Sequence, residues 1–351
     1  MTLLKPLFGE EAELYANLAS FCRQDYDGPI QLVFGVTNWL DPAVAVVERL
    51  QAEFPRLEFD LVIDGRIGGS NPKVANLINM SARIRHDIVV LTDSDIRVGP
   101  DYLRRVVDAL EQAGQGAVTG LYFGIPAGGV WSQLSQLNID SHFLPGVMTS
   151  VQFGLAKPCL GSTIAIRRDA LRAAGGFEAV ADCLADDHAL GEAVRARGER
   201  MLVLPFAVGH ICNEGSFGEL WRHELRWART IRGVDPTGYG GWVINHAFPL
   251  ALLSAMLGGG LPTLALAFGA LGLRYAMLAA IEIRYGLPRH PYWLVPFRDL
   301  LSFAVYLAGF MTRDVDWKGQ RYRLMSEGTL LSEGTLLSEG TLVSERRSPS
   351  P

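Results

Sequence analysis

The fold of this chain is decided by one stretch, Ile88-Val89-Val90-Leu91-Thr92-Asp93-Ser94-Asp95. Its first five residues are apolar or β-branched, which indicates a fully buried strand. Asp93 and Asp95 then lie at the carboxyl end of that strand. Ligands bind at this edge of open α/β sheets, and two carboxylates one residue apart can hold a hard divalent cation that carries substrate phosphates. The stretch predicts a site of the kind that binds a nucleotide sugar.

An acidic pair of this kind also occurs in solvated turns at strand ends, so Asp93 and Asp95 alone leave that alternative open. The residues that follow favour a site, because the loop Ile96–Asp101 is succeeded by a helix-like stretch, Tyr102–Gln112. A strand, a loop and a helix therefore surround the acidic pair.

Short apolar segments alternate with helical patterns around this stretch. Strands are predicted at Gln31–Val36, Leu57–Ile63 and Ile88–Thr92, and helices at Pro42–Glu53 and Lys73–Arg85. Such alternation implies a mostly parallel sheet. Two further strands and then two further helices are predicted at Val118–Phe123, Ser162–Arg167, Arg168–Ala174 and Asp187–Arg197. We therefore expect a doubly wound α/β catalytic domain over residues 1–235.

The composition bears on the class of protein. The chain has 351 residues and a net charge of −5, which gives no general argument for binding nucleic acid. Its four cysteines include no Cys-x-x-Cys pair, so zinc and redox chemistry are not indicated. Reduced thiols fit a catalytic domain in the cytoplasm.

An uncharged run, Ala247–Leu273, is longer than the roughly 20 residues that a helix needs to cross a bilayer. Membrane insertion is the preferred interpretation. Three glycines, Gly258 to Gly260, and Pro262 interrupt the run, so a kinked span and a re-entrant pair are both open. A buried helix of a soluble protein is the remaining alternative, although such helices rarely run this long.

A second apolar run, Leu300–Thr312, reaches spanning length only if Tyr292–Phe297 is included and Arg298 pairs with Asp299 inside it. We expect residues 236–323 to hold about two transmembrane segments. Basic residues before the first run and after the second place both flanks in the cytoplasm by the positive-inside tendency. Residues 324–351 repeat Ser-Glu-Gly-Thr-Leu and are expected to form a disordered tail.

Several ordered motifs resemble one family. With the positions above in place, the chain resembles the ceramide glucosyltransferase-like family, glycosyltransferase family 21, and within it the bacterial glycosyltransferases associated with hopanoid biosynthesis. The likeness extends over roughly residues 3 to 320. It is carried by Leu4-Lys5-Pro6-Leu7, Asn17-Leu18, Asp41-Pro42-Ala43, Asn71-Pro72-Lys73, Asn76-Leu77, Asp93-Ser94-Asp95-Ile96-Arg97-Val98, Asp186-Asp187 and Arg226-Trp227.

The resemblance implies a GT-A-type fold and gives roles to four residues at the donor. Asp41 matches an aspartate that binds the nucleotide, although a helix N-cap before Pro42 explains it as well. Lys73 would neutralise diphosphate charge, and its alternative is an ordinary lysine on a solvated helix. Asp93 and Asp95 match the aspartates for metal and nucleotide, so Mg²⁺ or Mn²⁺ is the implied cofactor.

The resemblance also implies the residues of catalysis. Asp187 matches the residue that acts as general base in an inverting transfer. The alternative is that its carboxylate only stabilises the N-terminus of a helix and takes no part in catalysis. Arg226 would pair with the diphosphate and Trp227 would form a wall for sugar or lipid, unless this helix simply lies on the membrane. His223 departs from the family motif, so a catalytic role for it is not expected. His142 could line the acceptor site or could simply pack.

The function implied is that of an inverting glycosyltransferase in the inner membrane, with its catalytic domain facing the cytoplasm. The donor would be a UDP-sugar, and UDP-N-acetylglucosamine is the preferred one. The acceptor would be a hydroxyl of a lipid, and a hopanoid polyol is the preferred lipid. Ceramide with UDP-glucose is the near alternative. A processive polysaccharide synthase and a catalytically silent membrane scaffold are the more distant ones.

Overall fold

The strands of this chain form one large sheet, with a small second sheet near the end. The computed structural model describes residues 1–9, 11–114, 116–312, 314–317, 320–324 and 330–332. The strands of the large sheet are β1 (Thr2–Pro6), β2 (Gln31–Val36), β3 (Glu58–Ile63), β4 (Ile88–Leu91), β5 (Ile96–Arg97), β6 (Ala117–Pro126), β7 (Ile164–Arg167) and β8 (Met201–Cys212). Within the described residues this sheet has eight strands in the order β3-β2-β1-β4-β7-β6-β8-β5.

The pairing of the strands is mixed. β1 runs parallel to β2 and β4, β2 runs parallel to β3, and β6 runs parallel to β8. β7 is antiparallel to both of its neighbours, β4 and β6, and β5 is antiparallel to β8. The predicted parallel sheet is therefore confirmed on the β3-β2-β1-β4 side, and the antiparallel β7 joins it to the other side.

Helices follow most of the strands. They are α1 (Leu14–Cys22), α2 (Ala43–Glu53), α3 (Pro72–Ser81), α4 (Tyr102–Ala113), α5 (Gly129–Asn138), α6 (Leu144–Gln152), α7 (Arg168–Ala173), α8 (Asp186–Ala196), α9 (Phe217–Val234), α10 (Pro236–Gly241), α11 (Ala247–Ser254), α12 (Gly260–Tyr285) and α13 (Val295–Gly309). A π-helical turn, Ile139–Phe143, joins α5 to α6, and a second one, Ala255–Gly259, joins α11 to α12.

The sheet is covered on both faces, as a doubly wound fold requires. Neighbouring residues of one strand enter different hydrophobic cores because side chains alternate along a strand. In β1, Leu3 packs in the core shared with α1, α2 and α4, and Leu4 packs in the core shared with α3 and α8. In β4, Val90 and Val89 divide in the same way.

The central strand β1 was not predicted from the sequence. It contains Lys5 and Pro6, and both residue types are uncommon in a buried interior strand. Lys5 is nevertheless fully buried. Its Nζ donates to the backbone oxygen of Asp93 at 2.9 Å and lies 3.4 Å from the centre of the Phe21 ring. The lysine therefore reaches from the centre of the sheet to the acidic turn after β4.

The apolar run after residue 246 forms two helices. Within the described residues, one helical stretch, Pro236–Tyr285, is long and apolar enough to cross a membrane by length and composition. It is interrupted at Gly258, whose φ is +100°, and at Gly260, whose φ is +67°. Glycine adopts such angles without strain, so the predicted interruption lies where the three glycines stand.

The second predicted membrane segment differs from the expectation. α13 has 15 residues, which is short for a span. Arg298 and Asp299 do not pair with each other. Arg298 pairs with Glu224 of α9, and Asp299 lies 3.2 Å from Nε of Arg274 in α12. Adjacent residues of a helix point in different directions, which is why the predicted pairing was wrong.

Three short strands lie at the end of the described chain. β9 (Asp314–Trp317), β10 (Gln320–Leu324) and β11 (Leu330–Ser332) form a small antiparallel sheet. The predicted tail, 324–351, thus begins with residues that pair as strands. Residues 333–351 lie outside the described residues.

Candidate active site

One large cavity lies at the carboxyl ends of β1 and β4. Its volume is about 790 Å³, which is within the roughly 300–1,000 Å³ typical of small-molecule sites. The acidic turn after β4, the start of α8 and one face of α9 form its walls. We call this cavity the cleft. Most of the predicted site residues line it: Lys73, Asp93, Asp95, Asp187, Arg226 and Trp227.

A lysine bridges two acidic elements on the floor of the cleft. Lys73 Nζ lies 2.7 Å from Asp93 Oδ1 and 3.1 Å from Asp186 Oδ2. Burial disfavours the ammonium, but the carboxylates of Asp186 and Asp93 outweigh it and raise the pKa of Lys73. We call Lys73, Asp93 and Asp186 the cleft network. It holds a positive charge where a diphosphate could replace one of its carboxylate partners.

Asp95 faces the other side of the acidic turn. Its Oδ1 is buried, makes no hydrogen bond within the described residues, and lies 3.5 Å from His210 Nδ1. Carboxylate oxygens suit Mn²⁺ or Mg²⁺, so Asp95 and the neighbouring Asp93 fit a divalent cation. In the described part of the chain, no three His, Cys, Asp or Glu side chains already converge at metal-ligand spacing. Phosphate oxygens of a donor would have to complete the coordination.

His210 was missed from the sequence. It lies on β8, a strand that was not predicted, and no short motif surrounds it. β8 brings it to Asp95 because Ile96 and His210 are partners in the antiparallel pair of β5 and β8. Because β5 and β8 are far apart in sequence, the residues around His210 give no local indication that it lies beside Asp95.

Asp187 lies in the first turn of α8. Its Oδ2 accepts a hydrogen bond from the N–H of Gly161 at 2.9 Å, and its Oδ1 accepts one from the N–H of His188 at 2.7 Å. Burial raises the pKa of this carboxyl group, and Lys73 opposes the shift. Each oxygen keeps a lone pair, so Asp187 can still accept a proton from a substrate.

Gly161 connects Asp187 to the acidic turn. Its carbonyl oxygen accepts a hydrogen bond from the N–H of Asp93 at 3.2 Å, while its own N–H binds Asp187. A Cβ added at Gly161 would lie 2.7 Å from Asp93 Oδ2. A larger residue at position 161 would therefore displace the Asp93 carboxylate.

The helix α9 presents one face to the cleft. His223, Arg226, Trp227 and Thr230 all line it, at the spacing of three and four residues that places side chains on one face of a helix. Within the described residues, the Arg226 guanidinium makes no hydrogen bond or ion pair. Burial lowers the pKa of Arg226, and the carboxylates of Asp93 and Asp95 oppose that shift. It is a cation available to a ligand. His223 is bound to Glu214 at 2.5 Å and packs edge-on against Trp227.

Two predicted residues lie elsewhere. Asp41 does not line the cleft. Its carboxylate accepts hydrogen bonds from the N–H groups of Gly9 and Ala43, so it joins the loop after β1 to the start of α2. Contact of Asp41 with a nucleotide stays a prediction. His142 is buried, with Nε2 3.3 Å from Asp299 Oδ1.

A second, smaller cavity of about 70 Å³ lies behind the cleft. The two cavities share the residues Phe143, Trp227 and Ile231, and His142 lines the smaller one. Further walls come from α10, from α13 and from the short helix Trp242–His246, and the last two of these contact α11. Trp227 thus separates the charged cleft from an aromatic cavity on the side of the apolar segment.

A buried ion pair fixes α9 to α13. Arg298 is 0% exposed and Glu224 is 4% exposed. Their side chains form two parallel hydrogen bonds of 2.6 Å and 2.8 Å, and Arg298 also donates to Ser302 and to the backbone of Leu134. We call the pair Glu224–Arg298 the helix clamp. It holds the helix that carries Arg226 and Trp227.

Comparison with known proteins agrees with this geometry. Glycosyl transferase family 21 matches residues 1–330. Ceramide glucosyltransferase 1 of Caenorhabditis elegans is 26% identical over 56% of this chain and 42% of its own length. An N-acetylglucosaminyltransferase of Mesorhizobium japonicum is 26% identical over 64% of this chain and 54% of its own length. The chain spans about half the length of these curated relatives, or less.

A solved structure confirms the fold. The mannosyltransferase PcManGT of Pyrobaculum calidifontis, in complex with GDP-Man and Mn²⁺, has a TM-score of 0.52 and 21% identity, with 88% of this chain and 85% of that chain covered. The GT-A-type fold that the sequence predicted is therefore confirmed. With a family match over nearly the whole described chain, this protein belongs to glycosyl transferase family 21.

Proposed function

We propose that this chain is a metal-dependent inverting glycosyltransferase that transfers a sugar from a UDP-sugar to a hydroxyl of a lipid. The observation that carries the proposal is the convergence of Asp187, the cleft network and Arg226 on one cleft. Transfer from a nucleoside diphosphate sugar requires a base, cations that bind the diphosphate and carboxylates that can hold a metal ion. The cleft contains one such base, two cations and a pair of carboxylates.

The donor diphosphate binds between two cations. Lys73 on the floor and Arg226 on α9 both line the cleft, on elements that are far apart in sequence. Charge-assisted hydrogen bonds from these groups to phosphate oxygens are short and about twice as strong as neutral ones. Asp95, with Asp93 and His210 beside it, would hold Mg²⁺ or Mn²⁺, which would offset the charge that develops on the departing diphosphate.

The transfer needs one proton acceptor. Asp187 takes the proton of the acceptor hydroxyl while that oxygen forms a bond to the anomeric carbon. The bond from that carbon to the β-phosphate oxygen breaks, and UDP leaves with the bonding electrons. A single displacement of this kind inverts the anomeric centre. The raised pKa of Asp187 suits the role, since a base works best when its pKa approaches the working pH.

The acceptor is a lipid that enters from the side of Trp227. The aromatic cavity behind this residue and the exposed apolar run after residue 246 support that direction. We place the protein on the inner membrane with its cleft in the cytoplasm, where UDP-sugars are made. Our first choice is N-acetylglucosamine transferred to a hopanoid polyol.

A second pair of substrates, UDP-glucose and ceramide, is supported by the relatives that are described as ceramide glucosyltransferases. The experiment that separates the two supplies membranes containing the protein with labelled UDP-N-acetylglucosamine or UDP-glucose and with a hopanoid polyol or ceramide. Identification of the labelled lipid by mass spectrometry decides between them. Absence of any labelled lipid, with Asp187→Asn as the inactive control and binding of UDP-sugar intact, would reject lipid glycosylation.

A further inference from the structure

The apolar segment begins and ends at the same place. Arg274 Nη2 donates to the backbone oxygen of Asn245 at 2.7 Å. Asn245 stands just before α11 and Arg274 stands halfway along α12, so the residues between them leave the domain and return to it. α11 packs against α12 on the way. We call Ala247–Leu273 the hairpin.

The base of the hairpin is fixed to the catalytic domain. Arg274 Nη1 donates to the backbone oxygen of Ser141 at 2.6 Å, and its Nε lies 3.2 Å from Asp299 Oδ1. Beyond Arg274, α12 packs on the domain through the buried Leu278 and Ile281. Only the first half of α12 therefore projects.

The hairpin is too short to cross a bilayer. From Gly260 to Leu273, α12 extends about 20 Å at a rise of about 1.5 Å per residue. The hydrocarbon core of a bilayer is about 30 Å thick, so one leaflet contributes about 15 Å. A projection of this length fills one leaflet and does not reach the far surface.

The surface of the hairpin suits hydrocarbon. It contains no charged residue. At its tip, Met256 and Leu257 are each 79% exposed and Leu261 is 81% exposed. Leu264, Leu266, Phe268 and Leu273 continue the exposed apolar surface toward the base. A contiguous patch of this kind is rare on a protein that contacts only water.

We infer that the hairpin is re-entrant: it enters one leaflet from the side of the catalytic domain and leaves through the same surface. The cleft and both ends of the hairpin then share one face of the membrane. The acceptor lipid is drawn from the leaflet in which the hairpin lies. This inference rests on the membrane attachment included in the proposed function, and it does not depend on the chemistry of the cleft.

The test compares single cysteines in sealed membrane vesicles of both orientations. Cys183 is replaced by serine, because the three other cysteines are buried. Met256→Cys places a thiol at the tip, and Arg56→Cys places a matched thiol at an exposed position of the catalytic domain. A membrane-impermeant maleimide should label Arg56→Cys from one face only. It should label Met256→Cys from neither face until detergent is added.

Two outcomes would overturn the inference. Labelling of Met256→Cys from the face opposite Arg56→Cys would mean that the hairpin crosses the membrane. Labelling from the same face would mean that it lies in water or against a second protein. Fluorescence quenching by nitroxide-labelled lipids gives an independent measure of the depth of residue 256 in the bilayer. A fluorophore at this residue should be quenched most strongly by nitroxides that lie near the middle of the bilayer.

A second pair of variants tests attachment itself. Met256→Glu with Leu257→Glu should reduce the membrane-bound fraction at least tenfold, whereas Ile67→Glu, at an equally exposed position outside the hairpin, should leave it unchanged. Equal partitioning of the two proteins would contradict the inference. UDP-sugar binding measured on the same samples reports on the cleft, so failure of the proposed chemistry is seen separately.

Discussion

The cleft network and the helix clamp are built from the same side-chain chemistry but differ in their access to solvent. In the cleft network, the side chains of Lys73, Asp93 and Asp186 are 17%, 36% and 10% exposed. In the helix clamp, those of Arg298 and Glu224 are 0% and 4% exposed. The clamp cannot exchange partners without unpacking α13, whereas a phosphate can compete for Lys73. We therefore expect the first set of charges to serve ligand binding, whereas the second fixes the wall of the cleft.

The largest effect is expected beside the cleft network, at Asp187. Asp187→Asn should lower transfer by about 100- to 10,000-fold because an amide cannot accept the proton. Donor affinity and the melting temperature should stay near those of the wild type. The measurement is single-turnover transfer together with donor binding on one preparation. Asp169→Asn, which removes an exposed carboxylate from the first turn of α7 outside the cleft, is the control. Near-normal transfer at saturating donor would contradict the assignment.

Substitutions in the helix clamp should change the stability of the protein, whereas Asp187→Asn should change the transfer rate. Arg298→Met leaves the Glu224 carboxylate buried without a partner, which should lower the free energy of unfolding by about 3–5 kcal/mol. Replacing both partners, with Glu224→Leu added, should recover most of that loss because no charge is left buried. Denaturant unfolding of the three proteins in the same lipid checks this. A loss below about 1 kcal/mol for the single variant would mean that the pair behaves as an exposed one.

Lys73 tests whether the cleft network serves the ligand. Lys73→Gln should weaken donor binding about tenfold or more, since a charge-assisted hydrogen bond contributes about 1.5–3 kcal/mol. Its effect on stability should be smaller than that of Arg298→Met, because water reaches Asp93. Titration calorimetry with the UDP-sugar measures the affinity, with the exposed Arg66→Gln as control. Unchanged affinity would assign Lys73 a purely structural role.

The smallest expected effect is a shift of the pH profile. Asp187 must be ionised to accept a proton, and burial raises its pKa, so the transfer rate should fall as pH decreases through a value above that of an ordinary aspartate. Lys73 lowers this pKa. In Lys73→Gln the acid limb of the rate should therefore move to higher pH. If the transfer rate falls at the same pH in the wild type and in Lys73→Gln, a group other than Asp187 controls the acid side of the pH profile.

The sequence predicted the residues that carry their own local signal. β2 is a largely apolar run and β4 a largely β-branched one, and the predicted bounds of both agree with the observed ones within one residue. Asp93 was found because it follows a recognisable strand, at the sheet edge where ligands bind, whereas Asp187 was named from the family resemblance. The hydrogen bond from the N–H of Gly161 brings Asp187, which lies on α8 and not at a strand end, to the same cleft.

Contacts between distant segments could not be predicted in this way. Glu224 and Arg298 are 74 residues apart, and each resembles an ordinary charge on an amphipathic helix. The buried Lys5 interrupts the apolar pattern of β1, an interior strand of the sheet that was not predicted. In both cases a charged residue is buried because a remote partner satisfies it, and no local pattern records that partner.

Gly161 has a consequence for how substrates can change within this fold. Its backbone holds Asp93 on one side and Asp187 on the other, so in the proposed reaction one residue would set the separation of the donor phosphates from the proton acceptor. The walls made by Trp227 and by the 154–158 loop lie outside this link. Exchange of those wall residues can therefore admit a different lipid while the path of the reacting oxygen stays the same. An engineer seeking a new acceptor should vary the walls and keep the glycine.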